Sequence, residues 1–88
     1  MEYEVIFSAA AKKFITKIDK RYQLKILSTI TELKAWPNIR NNIDIKKLVN
    51  VIDSYRIRVG IYRVIFIKYE DCMIIEIADI ATRQNVYK

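Results

Sequence analysis

The sequence is 88 residues long and 52% hydrophobic, which predicts a single domain spanning residues 1–88. With one Gly and one Pro, it excludes disordered and fibrous classes. One cysteine excludes an internal disulfide framework and a Cys-rich zinc site, and the lack of histidine removes the commonest metal ligand and general base. What remains is charge: 16 Lys and Arg against 10 Asp and Glu leave a net +6, which favours polyanionic partners.

In chain order, Glu2–Phe7 alternates and then turns apolar, as a strand ending at Ser8 would. Ser8 is a natural N-cap, because its hydroxyl can accept an otherwise unpaired backbone N–H. Ala10, Phe14, Ile15 and Ile18 then recur at helical spacing up to about Asp19, with Lys12, Lys13, Lys17 and Lys20 filling the rest of the surface. A second helix is predicted from about Arg21 to Ala35, with Tyr22, Ile26, Leu27, Ile30 and Leu33 on one stripe. Pro37 ends it, since the residue before a proline is pushed out of the α region. One bent helix in place of two would carry the same pattern. Trp36, at the helix end, reads as a packing anchor.

Asn38–Asn50 reads as a polar connection carrying the pair Lys46-Lys47. Beyond it, Tyr55, Ile57 and Val59 alternate with Arg56 and Arg58, the period of a half-buried strand. Gly60-Ile61 marks a tight turn, and Tyr62–Lys68 forms a nearly continuous apolar strand suited to a central position. Glu70-Asp71 makes a second turn, and Cys72–Ile80 a third strand, with Cys72 read as a small core residue. The predicted order is β-α-α-β-β-β, an α+β domain with both N-terminal helices on one face of an antiparallel sheet.

If Ile57 and Val59 pack under the helices, Arg56 and Arg58 emerge on the opposite face roughly 7 Å apart. Guanidinium groups at that spacing can engage neighbouring phosphate oxygens. Arg63 follows just past the turn and can lie close to them. Arg83 and Tyr87 can close the same side. The same alternation also describes an ordinary solvated sheet face. Lys46 and Lys47 are candidates for contact with a polyanion, such as the RNA that the resemblance below implies, and Glu76 or Asp79 for balancing the arginines.

Leu48, the run Tyr55-Arg56-Ile57-Arg58-Val59-Gly60-Ile61-Tyr62-Arg63-Val64-Ile65-Phe66 and the ending Arg83-Gln84-Asn85-Val86-Tyr87 resemble the signature of the RelE/ParE toxin superfamily. The opening strand into Ser8-Ala9-Ala10-Ala11-Lys12-Lys13-Phe14 also fits. The resemblance implies the toxin of a type II toxin–antitoxin pair, with a cognate antitoxin as partner. In its RelE-like branch it implies an mRNA interferase at the ribosomal A site. That endoribonuclease needs no metal or cofactor: the ribose 2′-OH attacks the adjacent phosphate, leaving a 2′,3′-cyclic phosphate and a 5′-OH.

The family's functional positions fall here on Arg56, Arg58, Arg63, Arg83 and Tyr87. The sequence departs from the pattern at Thr82, where many ribonuclease members carry histidine. Arginine does not serve as a base at neutrality, so the proton acceptor is either Tyr87 or absent altogether. A ParE-like gyrase poison that binds without cleaving RNA, and an inactive family member, are the alternatives. The apolar runs fall far short of the roughly 20 residues that span a bilayer, and no signal-peptide pattern opens the sequence, so no membrane partner and a cytoplasmic location are expected.

Overall fold

The computed structural model describes residues 2–40 and 42–82, folded as a five-stranded sheet with two helices across one face. The strands are β1 (Glu4–Phe7), β2 (Asp44–Lys47), β3 (Ser54–Val59), β4 (Tyr62–Tyr69) and β5 (Ile74–Thr82). The helices are α1 (Ala9–Ile15) and α2 (Lys20–Glu32). The sheet order is β1-β5-β4-β3-β2. Strands β2 to β5 pair antiparallel, while β1 runs parallel to β5 at one edge. The expected α+β arrangement is therefore present, with two refinements: the sheet is mixed at β1, and a short fifth strand lies within the predicted polar connection.

Local signals set the helix limits. The Ser8 hydroxyl accepts from the Ala11 amide at 3.1 Å and donates to the Ala78 carbonyl at 2.7 Å, so one side chain caps α1 and ties it to β5. The Asp19 carboxylate accepts from the Arg21 amide at 2.9 Å, which starts α2 as a second helix distinct from α1. A 3₁₀ turn, Leu33–Ala35, follows α2 and ends ahead of Pro37. Leu27, expected on the buried stripe of α2, remains exposed along with Leu24.

Between helices and sheet lies one core. Ala11, Ile15, Ile26, Ile30 and Leu33 meet Ile57, Val64, Phe66, Ile75, Ile77 and Ile80. Each large aliphatic side chain buried in this way contributes about 1.5–3 kcal/mol relative to leaving it in water. Trp36 is the anchor expected of it, its ring 5.1 Å from Tyr55 and 6.1 Å from Phe66. The Lys68 ammonium lies over the Trp36 ring at 4.9 Å and pairs with Glu70 at 3.2 Å.

A bulge in β5 explains an irregular burial pattern. Ile65 pairs with Asp79 but Phe66 pairs with Ile77, leaving Ala78 as the extra residue. That insertion returns Ile80 to the helix face beside Ile75 and Ile77, and it puts Glu76 and Asp79 together on the opposite face. The third predicted strand starts two residues late. Cys72 belongs to a 3₁₀ turn, Glu70–Cys72, and is exposed, not in the core. Met73 adopts a left-handed conformation (φ 57°) there and reverses the chain into β5.

Candidate functional site

The alternation of β3 places its side chains as a half-buried strand requires. Ile57 and Val59 are buried under the helices, and Arg56 and Arg58 lie on the other face. Gly60 (φ +59°) and Ile61 form a two-residue turn between paired Val59 and Tyr62, the pattern of a type II′ hairpin. That tight return aligns Arg63 of β4 directly with Arg58. On the other side of β3, the edge strand β2 sets Asp44 opposite Arg58 and Lys46 opposite Arg56.

One cavity of about 320 Å³ opens on this face, lined by Lys46, Lys47, Leu48, Val49, Arg56, Arg58 and Arg63. The lining thus includes five of the seven residues expected at the site, although Lys47, paired with Tyr55, lies on the opposite phase of β2 from Lys46. The other two, Arg83 and Tyr87, lie outside the described residues. Lys12, Lys13, Lys17 and Lys20 belong to the helical layer on the far side of the sheet and are exposed.

Burial divides the arginines. The Arg56 side chain is only 5% exposed, and its Nη1 lies 3.1 Å from Asp44 Oδ1. Arg58 is 40% exposed, and its Nη1 stands 3.8 Å from Asp44 Oδ2. Arg63 is buried. The Arg58–Arg63 register sets two cationic residues side by side on the wall of this cavity. Asp44 was not singled out in the sequence. Its signal was the alternation of Ile43 and Ile45, which pack on the core, with Asp44 and Lys46. Among the described residues, Asp44 is the carboxylate that answers Arg56 and Arg58, whereas Glu76 accepts a hydrogen bond from Tyr69 at 3.0 Å.

The chemistry open to this face is charge stabilisation. Guanidinium and ammonium groups fixed on a sheet can hold a phosphate and oppose the charge that develops on its oxygens without reorganising. Tyr69, on the same face, lies six residues beyond Arg63 along β4, roughly 20 Å away. Its hydrogen bond to Glu76, with burial adding, raises its pKa above the ordinary phenol value, so it is no base for this site. Among the described residues, no group of three or more Cys, Asp and Glu side chains converges to hold a metal. No helix among them is long and apolar enough to cross a membrane.

The sequence and the fold both have relatives. Residues 5–87 match a family model described as ParE toxin of the type II toxin–antitoxin system parDE. The protein designated toxin RelE1 in Methanocaldococcus jannaschii is 36% identical over 64 residues, covering 73% of this chain and 71% of that protein. The archaeal RelE–RelB complex from Pyrococcus horikoshii OT3 contains a chain that superposes with a TM-score of 0.83. It is 27% identical, and the match covers 98% of this chain and all of the other. The RelB–RelE antitoxin–toxin complex from Methanococcus jannaschii shares the fold at TM-score 0.77 and 24% identity, over 93% of this chain and 94% of its own.

Proposed function

The chain belongs to the RelE/ParE superfamily of type II toxins, and from that premise we propose that it is a ribosome-dependent, metal-independent mRNA endoribonuclease. The observation that carries this reading is the gathering of Arg56, Arg58, Arg63 and Lys46 on one face of the sheet around one cavity, with Lys47 at its rim. A cognate antitoxin, of the kind that accompanies the Pyrococcus relative, is its expected partner.

In the proposed reaction the ribose 2′-oxygen bonds to phosphorus and the bond from phosphorus to the 5′-oxygen breaks. The products are a 2′,3′-cyclic phosphate and a 5′-OH, which takes up a proton. Arg58 and Arg63 oppose the charge on the non-bridging oxygens, and Lys46 and Lys47 hold the flanking backbone. In-line alignment falls largely to the ribosomal A site. Arg83 adds a further cation, and Tyr87 is assigned to stacking on a splayed base and to the 2′-OH proton. A phenol with an ordinary pKa near 10 is a weak acceptor at neutrality. Charge stabilisation and alignment therefore account for most of the rate.

Induced expression followed by primer extension on a reporter mRNA tests the reading. Ribosome-dependent cuts are expected, lost in Arg63→Ala and reduced in Tyr87→Phe. The ParE description of the matching family model favours a second reading, a gyrase-directed toxin that leaves RNA whole. Intact mRNA together with a DNA-damage response would establish that reading instead.

A further inference from the structure

We propose that Asp44 is a positioning residue of this site and its resident counter-anion: its carboxylate locks Arg56 in place and holds Arg58 loosely, at the place a substrate phosphate takes over. The two carboxylate oxygens face different arginines. Oδ1 lies 3.1 Å from Arg56 Nη1, a hydrogen-bonded ion pair on a side chain almost removed from solvent. Oδ2 lies 3.8 Å from Arg58 Nη1, beyond hydrogen-bond length, on a guanidinium that is 40% exposed. The first contact satisfies a charge that burial would otherwise leave costly. The second is a weak, screened attraction that another anion can replace.

The backbone brings the carboxylate to these arginines. Ile43 and Ile45 pack against the core and hold the start of β2, which sets Asp44 in register with Arg58. Arg58 in turn faces Arg63. A phosphate entering the cavity meets Arg58 first, the more exposed and more loosely held of the two arginines beside Asp44, while Arg56 stays with that carboxylate. The three arginines then have distinct work: Arg58 and Arg63 contact the phosphate, and Arg56 is a fixed strut that keeps the Asp44 carboxylate beside Arg58. With Asp44 in place, one positive charge of the cavity is already neutralised before RNA arrives.

This inference rests on the RNA-cleaving reading, and its test separates the two. Asp44→Asn keeps the side-chain size and removes the charge; Asp71→Asn, in the exposed turn before β5, makes the same charge change away from the cavity. Binding is read by fluorescence anisotropy with a single-stranded RNA oligonucleotide carrying 2′-O-methyl groups, and cleavage by primer extension on ribosomes. Asp44→Asn is expected to bind RNA about fivefold more tightly, with a salt slope steeper by about 0.7. It is also expected to cleave at least about tenfold more slowly at saturation, because the arginines lose their alignment. Equal affinities of the two variants would overturn the proposal, as would weaker binding and slower cleavage together. In the unsubstituted protein, NMR of the arginine Nε–Hε resonances adds a second measurement. RNA should shift Arg58 and leave Arg56 in place; equal shifts would overturn the assignment. Intact mRNA with the unsubstituted protein would instead sink the cleavage reading and leave the binding and NMR results to judge Asp44.

Discussion

Arg58 of β3 and Arg63 of β4 stand directly opposite each other, two like charges in register across the strand pair next to the hairpin turn. A sheet selected only for stability avoids that pairing, since opposed like charges destabilise it. It becomes favourable when an anion sits between the two guanidiniums.

Replacing Arg58 should therefore separate stability from activity. Arg58→Ala removes a partly exposed side chain whose contact with Asp44 is weak and screened, so its urea midpoint is expected to stay about level. Ribosome-dependent cleavage is expected to fall by about 10²-fold or more, the scale of losing one donor to a developing oxyanion. A large loss of stability in parallel with activity would show that Arg58 is structural.

The arginine face was legible because β3 is half buried: Ile57 and Val59 pack under helices while Arg56 and Arg58 do not, so the period of two is written in the residues. Asp44 was not legible in the same way. Its strand is four residues long and lies at the sheet edge, so only Ile43 and Ile45 mark it within a polar stretch. The Ala78 bulge was hidden for a different reason. A nearly continuous apolar strand carries no phase, and only the register with β4 reveals that Ile77 and Ile80 share a face. Cys72 was misplaced because an apolar run began there, while the left-handed Met73 that ends the turn has no mark in composition.

Gly60 is irreplaceable on two counts. Its φ of +59° strains any L side chain, and a Cβ there would approach Tyr22 Cε1 to 2.8 Å. Gly60→Ala is expected to lower unfolding free energy by about 1–2 kcal/mol, with the urea m-value unchanged. Because the turn sets the Arg58–Arg63 register, cleavage per folded molecule should fall as well. A variant with unchanged stability would count against the Tyr22 contact.

Alkaline unfolding should report the Tyr69–Glu76 pair. The hydrogen bond to Glu76, aided by burial, raises the Tyr69 phenol above its usual value, so the folded chain favours the neutral form. The resulting stability is fully present below about pH 10 and lost as pH rises through the raised value. Lys68 is also held above its ordinary value: burial lowers it, but the Glu70 hydrogen bond and the neighbouring charges of Tyr55, Glu70 and Tyr3 outweigh that. Its contribution fades in the same alkaline range in any variant that keeps it. Urea unfolding from pH 8 to 12 should therefore show a steeper decline for the unsubstituted protein than for Tyr69→Phe. Parallel curves would mean that the phenol has no such linkage.

Salt dependence distinguishes the two basic faces of the molecule. Releasing counterions from single-stranded RNA gives a slope of about −0.7 in log affinity against log salt per phosphate neutralised. Occupation of the cavity by three to five phosphate contacts predicts a slope of roughly −2 to −3.5 for the 2′-O-methyl oligonucleotide. Arg58→Ala should reduce its magnitude by about 0.7. Lys12→Gln with Lys13→Gln removes two charges from the helical layer and should leave the slope where it was, because that layer lies across the sheet from the cavity. Net charge alone predicts the reverse ranking, with the double lysine variant losing more than the single arginine one. The relative slopes of these two variants therefore decide whether RNA is held by the arginines of β3 and β4 or by the overall positive field.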